Sequence, residues 1–114
     1  MRKLRAGLLG LGMMGKHHLR VLSNLPGVEL VAVADANSSP HGVVTGMEVL
    51  QNLDDLLKVD LDYCVVAIPT EYHLEAGRHL AEAGIHALIE KPLAQNSHQS
   101  RELVQAFDSR GLIG

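Results

Sequence analysis

The stretch from Arg5 to Leu22, RAGLLGLGMMGKHHLRVL, joins an apolar run to a helix-forming segment through three glycines spaced G-x-G-x-x-G: Gly10, Gly12 and Gly15. Each of those positions has its own reason to lack a side chain. The first allows a tight turn out of a strand, the second lets backbone amides come close to a pyrophosphate, and the third lets the helix lie close on the strand. The amides of Leu11, Gly12, Met13 and Met14 and the positive end of the new helix would then hold the phosphates of a dinucleotide.

Glycine is common here, eleven in 114 residues, so the spacing needs its context. Leu4 to Leu9 can form a buried parallel strand, and Met14, His18, Val21, Leu22 and Leu25 fall on one helical face. After a turn at Pro26 and Gly27, Val28 to Ala34 makes a second strand that ends at Asp35, twenty residues beyond Gly15. A carboxylate there accepts hydrogen bonds from the adenine ribose hydroxyls and would repel a 2′-phosphate, so NAD is favoured over NADP. Ala36 and Asn37 follow without a cation to hold such a phosphate.

Hydrophobic residues make up 46% of the chain but aromatics only 3%, which suits a parallel sheet of aliphatic strands covered on both faces. One domain with its own core is expected at this length. A net charge of −3 without a basic block argues against nucleic acid and acidic membranes as partners. The single cysteine allows no intrachain disulfide and fits a reducing compartment, the cytoplasm. No apolar span is long enough to cross a bilayer, and although basic residues precede the first apolar run, its glycines are better explained by the nucleotide turn than by a signal peptide.

Further along, Ser39 and Pro40 can start a short helix inside Ala36 to Gly46, and Met47 to Leu50 reads as a brief third strand. Asn52 can cap a helix over Leu53 to Lys58, and Asp60 to Asp62 turns the chain into a fourth strand, Tyr63 to Ile68. Cys64 inside it is a small core residue. Pro69 ends that strand and Thr70 can cap a helix from Glu71 to Ala83. Leu74, Gly77, Leu80, Ala81 and Gly84 trace its packing face, with Gly84 placed to close it. His86 to Ile89 is the fifth strand, followed by Glu90, Lys91 and Pro92. Ser97 can cap a last helix with Leu103, Val104 and Phe107 on its apolar face, and Leu112 to Gly114 starts a further strand. The fold expected is a doubly wound α/β domain. In such sheets ligands sit at the carboxyl ends of the strands, which gathers function at Gly10 to Gly15, Asp35, Ile68 to His73, and Glu90 to Pro92.

Taken together, those four stretches resemble the glucose-fructose oxidoreductase, inositol dehydrogenase and MocA family over essentially the whole chain. Glu90-Lys91-Pro92, followed by Leu93 and Ala94, is the most specific element. The resemblance implies a Rossmann domain that binds a nicotinamide cofactor, with Lys91 beside the nicotinamide and the substrate hydroxyl as the catalytic residue. An ammonium there can polarise the oxygen that becomes a carbonyl and, if partly desolvated, assist proton transfer. The family often has a cis bond at this lysine-proline junction, which would aim the side chain.

Its usual text after the fourth strand, A-T-P-N-x-x-H, is here Ala67-Ile-Pro-Thr-Glu-Tyr-His73, with Ile68 for threonine and Thr70 for asparagine. Backbone contacts to the cofactor survive such changes. Ala67, Ile68, Pro69, Thr70 and His73 are therefore carried over as neighbours of the nicotinamide half, and the variant looks like members that act on nucleotide sugars. Helix surface is the other reading of His73.

Family members have a second domain that binds substrate and supplies further catalytic groups, including a histidine. Its absence from this sequence implies a chain cut from something longer, able to bind cofactor but not to turn over a sugar-like substrate. The sheet edge so exposed implies self-association into a homo-oligomer. No metal is expected, because His17 and His18 point about 100° apart on a helix and the other histidines lack ligands at suitable spacing. A dinucleotide-binding scaffold without redox chemistry is the main alternative, and the presence of Lys91 argues against it. A domain for another adenosine ligand, such as a methyl donor, would have no need of Gly15 or the E-K-P loop.

Overall fold

Strand β1 (Leu4–Leu9) is apolar on both of its faces, which requires cover above and below the sheet. Ala6 and Leu8 pack into one cluster with Leu19, Leu22, Val33 and Val65, while Leu9 joins Ala34, Cys64, Val66 and Leu80 on the opposite face. A computed structural model describes residues 3–35, 49–50, 52–90 and 94–113. The expected helix at Ser39 and Pro40, the residues Ala36, Asn37, Met47, Lys91 and Pro92, and the end of the chain at Gly114 lie outside them.

Five parallel strands form one sheet in the order β3-β2-β1-β4-β5, with β2 at Val28–Ala34, β3 at Val49–Leu50, β4 at Tyr63–Val66 and β5 at His86–Ile89. Helix α1 (Met13–Asn24) covers one face, and α2 (Leu53–Leu57), α3 (His73–Glu82) and α4 (Ser97–Asp108) contribute Leu56, Leu80, Leu103 and Phe107 to the other. This is the doubly wound α/β arrangement, with the chain reversing its direction of travel across the sheet at β1. Within the β1–β2 pairing the register shifts between Ala6 and Gly7.

Several local expectations change. Helix α1 buries Gly15, Leu19 and Leu22, while Val21 and Leu25 remain exposed. The reason is steric: once Gly15 is pinned to the turn, its i+4 and i+7 neighbours must face the sheet. Thr70 does not cap α3; residues Thr70–Tyr72 form a 3-10 turn ahead of it, without a side-chain cap. The end of α3 is as expected: Gly84 takes φ 75° while its N–H donates to Ala81 and that of Ile85 to Leu80, each at 3.0 Å.

At α4 the cap is Asn96 and not Ser97, its side chain accepting from the Gln99 N–H at 2.9 Å. Leu103 and Phe107 are buried there, but Val104 is half exposed. Among the described residues no strand follows α4. Instead the Ala87 N–H donates to the Ile113 carbonyl at 3.0 Å and the Ile113 N–H donates to His86 Nδ1 at 2.9 Å, so this stretch lies along β5.

Cys64 is fully buried, and that burial pushes its thiol up to about 12. The folded chain should therefore resist alkylation at pH 8 and react only as denaturant unfolds it, as a thiol-reagent time course would show. An unfolded thiol ionises near 9.0 while the folded one stays protonated. Stability should consequently fall as pH climbs from about 9 towards 12, a loss that Cys64→Ala should reduce, leaving the part due to the Tyr63 hydroxyl, which burial also raises, when denaturant midpoints are compared.

Candidate functional site

The turn after β1 is held by contacts that only glycine permits. Gly10 adopts φ 103°, and a Cβ there would stand 2.3 Å from the Ala67 carbonyl oxygen at the end of β4. At Gly15 a Cβ would stand 2.1 Å from the Gly10 carbonyl oxygen, so α1 rests directly on the turn. Gly12 differs: among the described residues nothing lies within 4 Å of its Cβ position, which leaves open space beside the backbone. Helix α1 starts next to that space with no side-chain cap and no acidic residue in its first turn. Asparagines cap both α2 and α4. An uncapped helix end beside an unobstructed glycine is a suitable cradle for an anion.

Asp35 stands at the carboxyl end of β2, half buried. Its N–H donates to the Leu50 carbonyl at 2.8 Å, and its Oδ2 accepts from the Leu11 N–H at 2.7 Å. The acidic strand end and the glycine turn are thus one hydrogen-bonded unit. Because a charged acceptor strengthens the bond, the carboxylate also stiffens the turn.

Across β1 the ends of β4 and β5 build the other side of the site. The Ala67 N–H donates to Leu9 and the Glu90 N–H to Val66, at 2.8 and 3.0 Å, which aligns these residues with the glycine turn. His73 is buried, 1% exposed, and its Nε2–H donates to the Ile68 carbonyl at 2.8 Å. The surface reading of His73 is therefore set aside: the ring fastens the Ile68–Pro69 loop to the start of α3. Ala67, Ile68 and Thr70 are half buried around it and Pro69 is exposed.

One contact was not foreseen from the residues alone. His18, on the second turn of α1, donates from Nε2 to Glu90 Oε1, joining residues 72 apart in sequence. Helical periodicity assigned His18 to a packing face and the tripeptide pattern assigned Glu90 to a loop. Only the sheet order brings them together. Among the described residues no group of three or more His, Cys, Asp or Glu is placed to hold a metal ion, and no helix is long and apolar enough to cross a membrane.

Residues 4–113 match the family described as "Oxidoreductase family, NAD-binding Rossmann fold", that of glucose-fructose oxidoreductase, inositol dehydrogenase and MocA. The chain belongs to this family. Inositol 2-dehydrogenase 4 of Saccharopolyspora erythraea is 38% identical, covering 96% of this chain and 34% of that protein. The rhizopine catabolism protein MocA of Rhizobium meliloti is 30% identical over 90% of this chain and 33% of its own length. Among solved structures, the WlbA dehydrogenase from Bordetella pertussis in complex with NADH and UDP-GlcNAcA superposes with a TM-score of 0.88 at 31% identity, covering 97% of this chain and 36% of that one. GenD2 from gentamicin A biosynthesis in complex with NAD gives 0.88 at 32% identity, covering 98% and 33%. The chain spans about a third of the length of the relatives it matches.

The glycines separate stability from ligand binding. Gly15→Ala should cost roughly 3 kcal/mol, because a backbone oxygen cannot yield as a side chain can. Gly12→Ala should change stability by less than about 1 kcal/mol and yet weaken dinucleotide binding, because its methyl would enter the open cradle. Thermal melts paired with NADH titrations of the two variants check this dissociation.

Proposed function

We propose that this chain is the cofactor-binding part, residues 1–114, of an oxidoreductase that moves a hydride between a nicotinamide cofactor and a hydroxyl or carbonyl of a sugar, cyclitol or nucleotide sugar. The observation that carries this reading is the combined unit at the carboxyl end of the sheet: an uncapped α1 N-terminus, open space at Gly12, and Asp35 bonded to the Leu11 amide. Relatives named as inositol dehydrogenases and a dehydrogenase held with a nucleotide sugar support the substrate class.

The residues fit a dinucleotide. Backbone amides from Gly12 to Gly15 would meet the pyrophosphate, the Leu11 amide being taken by Asp35, while Asp35 would meet the adenine ribose and Ala67 to Thr70 with His73 the nicotinamide half. Bound nicotinamide supplies hydride acceptance and return. Lys91 would orient and polarise the substrate oxygen and hold its proton, with Glu90 and Pro92 setting its direction. With a substrate-binding domain closed over it, the lysine would lose water and gain the positioning that turnover needs. Cytoplasmic location and the absence of nucleic-acid partners belong to the same proposal, on the composition and charge of the chain, and a homo-oligomeric state belongs to it on the surface that a substrate-binding domain would otherwise cover.

NAD is preferred over NADP in this reading, because a 2′-phosphate would bring a second negative group against Asp35. Calorimetric titration should give NADH at least about tenfold tighter than NADPH, a difference of about 1.4 kcal/mol. Asp35→Asn retains an acceptor for the Leu11 amide and removes the charge, so it should narrow that gap without unfolding the turn. Equal affinities in the unmodified chain would refute the preference, and binding of neither cofactor would refute the dinucleotide reading itself.

A further inference from the structure

The contact between His18 and Glu90 crosses the sheet from the helix of the nucleotide turn to the far strand. Helix α1 follows β1, and Glu90 follows β5, with β4 between those two strands. Both side chains are largely withdrawn from water, 16% and 26% exposed. By comparison, the pairs Lys58–Asp55, His79–Glu75 and His98–Glu102 join neighbours on a single helix and involve well-exposed groups, where ion pairs contribute little. The backbone of Glu90 is fixed separately, its N–H donating to Val66 at 3.0 Å. Glu90 is therefore held at two points, by β4 through its amide and by α1 through its carboxylate.

The position of this bond in the topology matters. Asp35 and the β2 end stand on one side of β1, whereas the ends of β4 and β5 stand on the other. A dinucleotide bound across the point of reversal places its two halves on these two sides. The adenosine half therefore meets Asp35, and the nicotinamide half meets the strand ends that His18 braces.

Resting on the dinucleotide reading above, we propose that His18 is a positioning residue that acts through Glu90. It fixes the carboxyl end of β5 against α1, so that the nicotinamide half of the cofactor meets a prearranged wall. The sequence continues from that wall into Lys91. The pair adds nothing to recognition of adenosine or pyrophosphate, and this selectivity separates it from a bond that only stabilises the fold.

The test compares two ligands on the same chain: NADH, and ADP-ribose, which lacks the nicotinamide. His18→Phe keeps an aromatic ring of similar size in the packed position and removes the donor, and Glu90→Ala removes the acceptor. Both should weaken NADH roughly fivefold to tenfold while leaving ADP-ribose within about twofold. Glu90→Gln keeps an acceptor oxygen and should restore most of the NADH affinity, and the double variant should be no worse than either single one. Equal losses for both ligands would assign the pair a structural role only and overturn the proposal. So would unchanged NADH binding in His18→Phe, or failure of Glu90→Gln to rescue. If the unmodified chain binds ADP-ribose and NADH equally, this inference falls while the dinucleotide reading stands; if it binds neither, both fall.

Discussion

The approach of Gly15 to the Gly10 carbonyl is the constraint on which the rest of the site depends. With a Cβ position only 2.1 Å from that oxygen, the contact exists for glycine alone. It brings the start of α1 down onto the end of β1. From it follow the face that α1 buries, Leu19 and Leu22 one and two turns on, and the direction in which the helix N-terminus points. Gly10 makes a second such contact with the Ala67 carbonyl at the end of β4, which ties the turn to the neighbouring strand as well. The turn is thus held between the Ala67 carbonyl and the start of α1, which orders its amides. Preorganisation of this kind spares a bound anion the entropy of arranging its own donors.

Sheet order then divides the work. Because β2 and β3 lie on one side of β1 and β4 and β5 on the other, the chain reverses direction directly beneath the turn. Each side contributes one braced strand end. On the first, Asp35 holds the Leu11 amide. On the second, His73 holds the Ile68 carbonyl and His18 holds Glu90. Side chains at this end of the sheet fix backbone as much as they offer groups to a ligand. That explains how Ile68 and Thr70 can replace the family's usual threonine and asparagine without dismantling the loop, since the bond that fastens it runs from a histidine ring to a main-chain oxygen.

Much of the fold was legible because its signals are local and mutually reinforcing. Leu4–Leu9 and Val28–Ala34 form strands where the apolar runs stand, and Asn52 and Gly84 act as cap and terminator through their own backbone geometry. The misreadings share a cause. Periodicity near α1 and α4 admitted more than one apolar face, and Val21 and Val104 fell on the wrong side because tertiary contacts chose between them. Thr70 and Ser97 are good capping residues in isolation, but a 3-10 turn precedes α3 and Asn96 reaches the Gln99 amide first. His18 and Glu90 could not be paired from sequence at all. Nothing local in a histidine on an apolar helix face announces an acceptor 72 residues away.

The distribution of these interactions bears on why this third of the family is shared so widely. On the reading proposed above, backbone amides of the turn would meet the phosphates, while the side chains of Asp35 and His73 also hold backbone in place. Neighbours with TM-scores of 0.88 differ at about two thirds of their aligned positions, so the fold tolerates wide change in residue identity. A dinucleotide platform made largely of main chain would tolerate such divergence, provided that the strand end at Glu90 keeps its place relative to the nucleotide turn. The side-chain bond between α1 and the end of β5 joins the two directly, beside the main-chain links that run through β4.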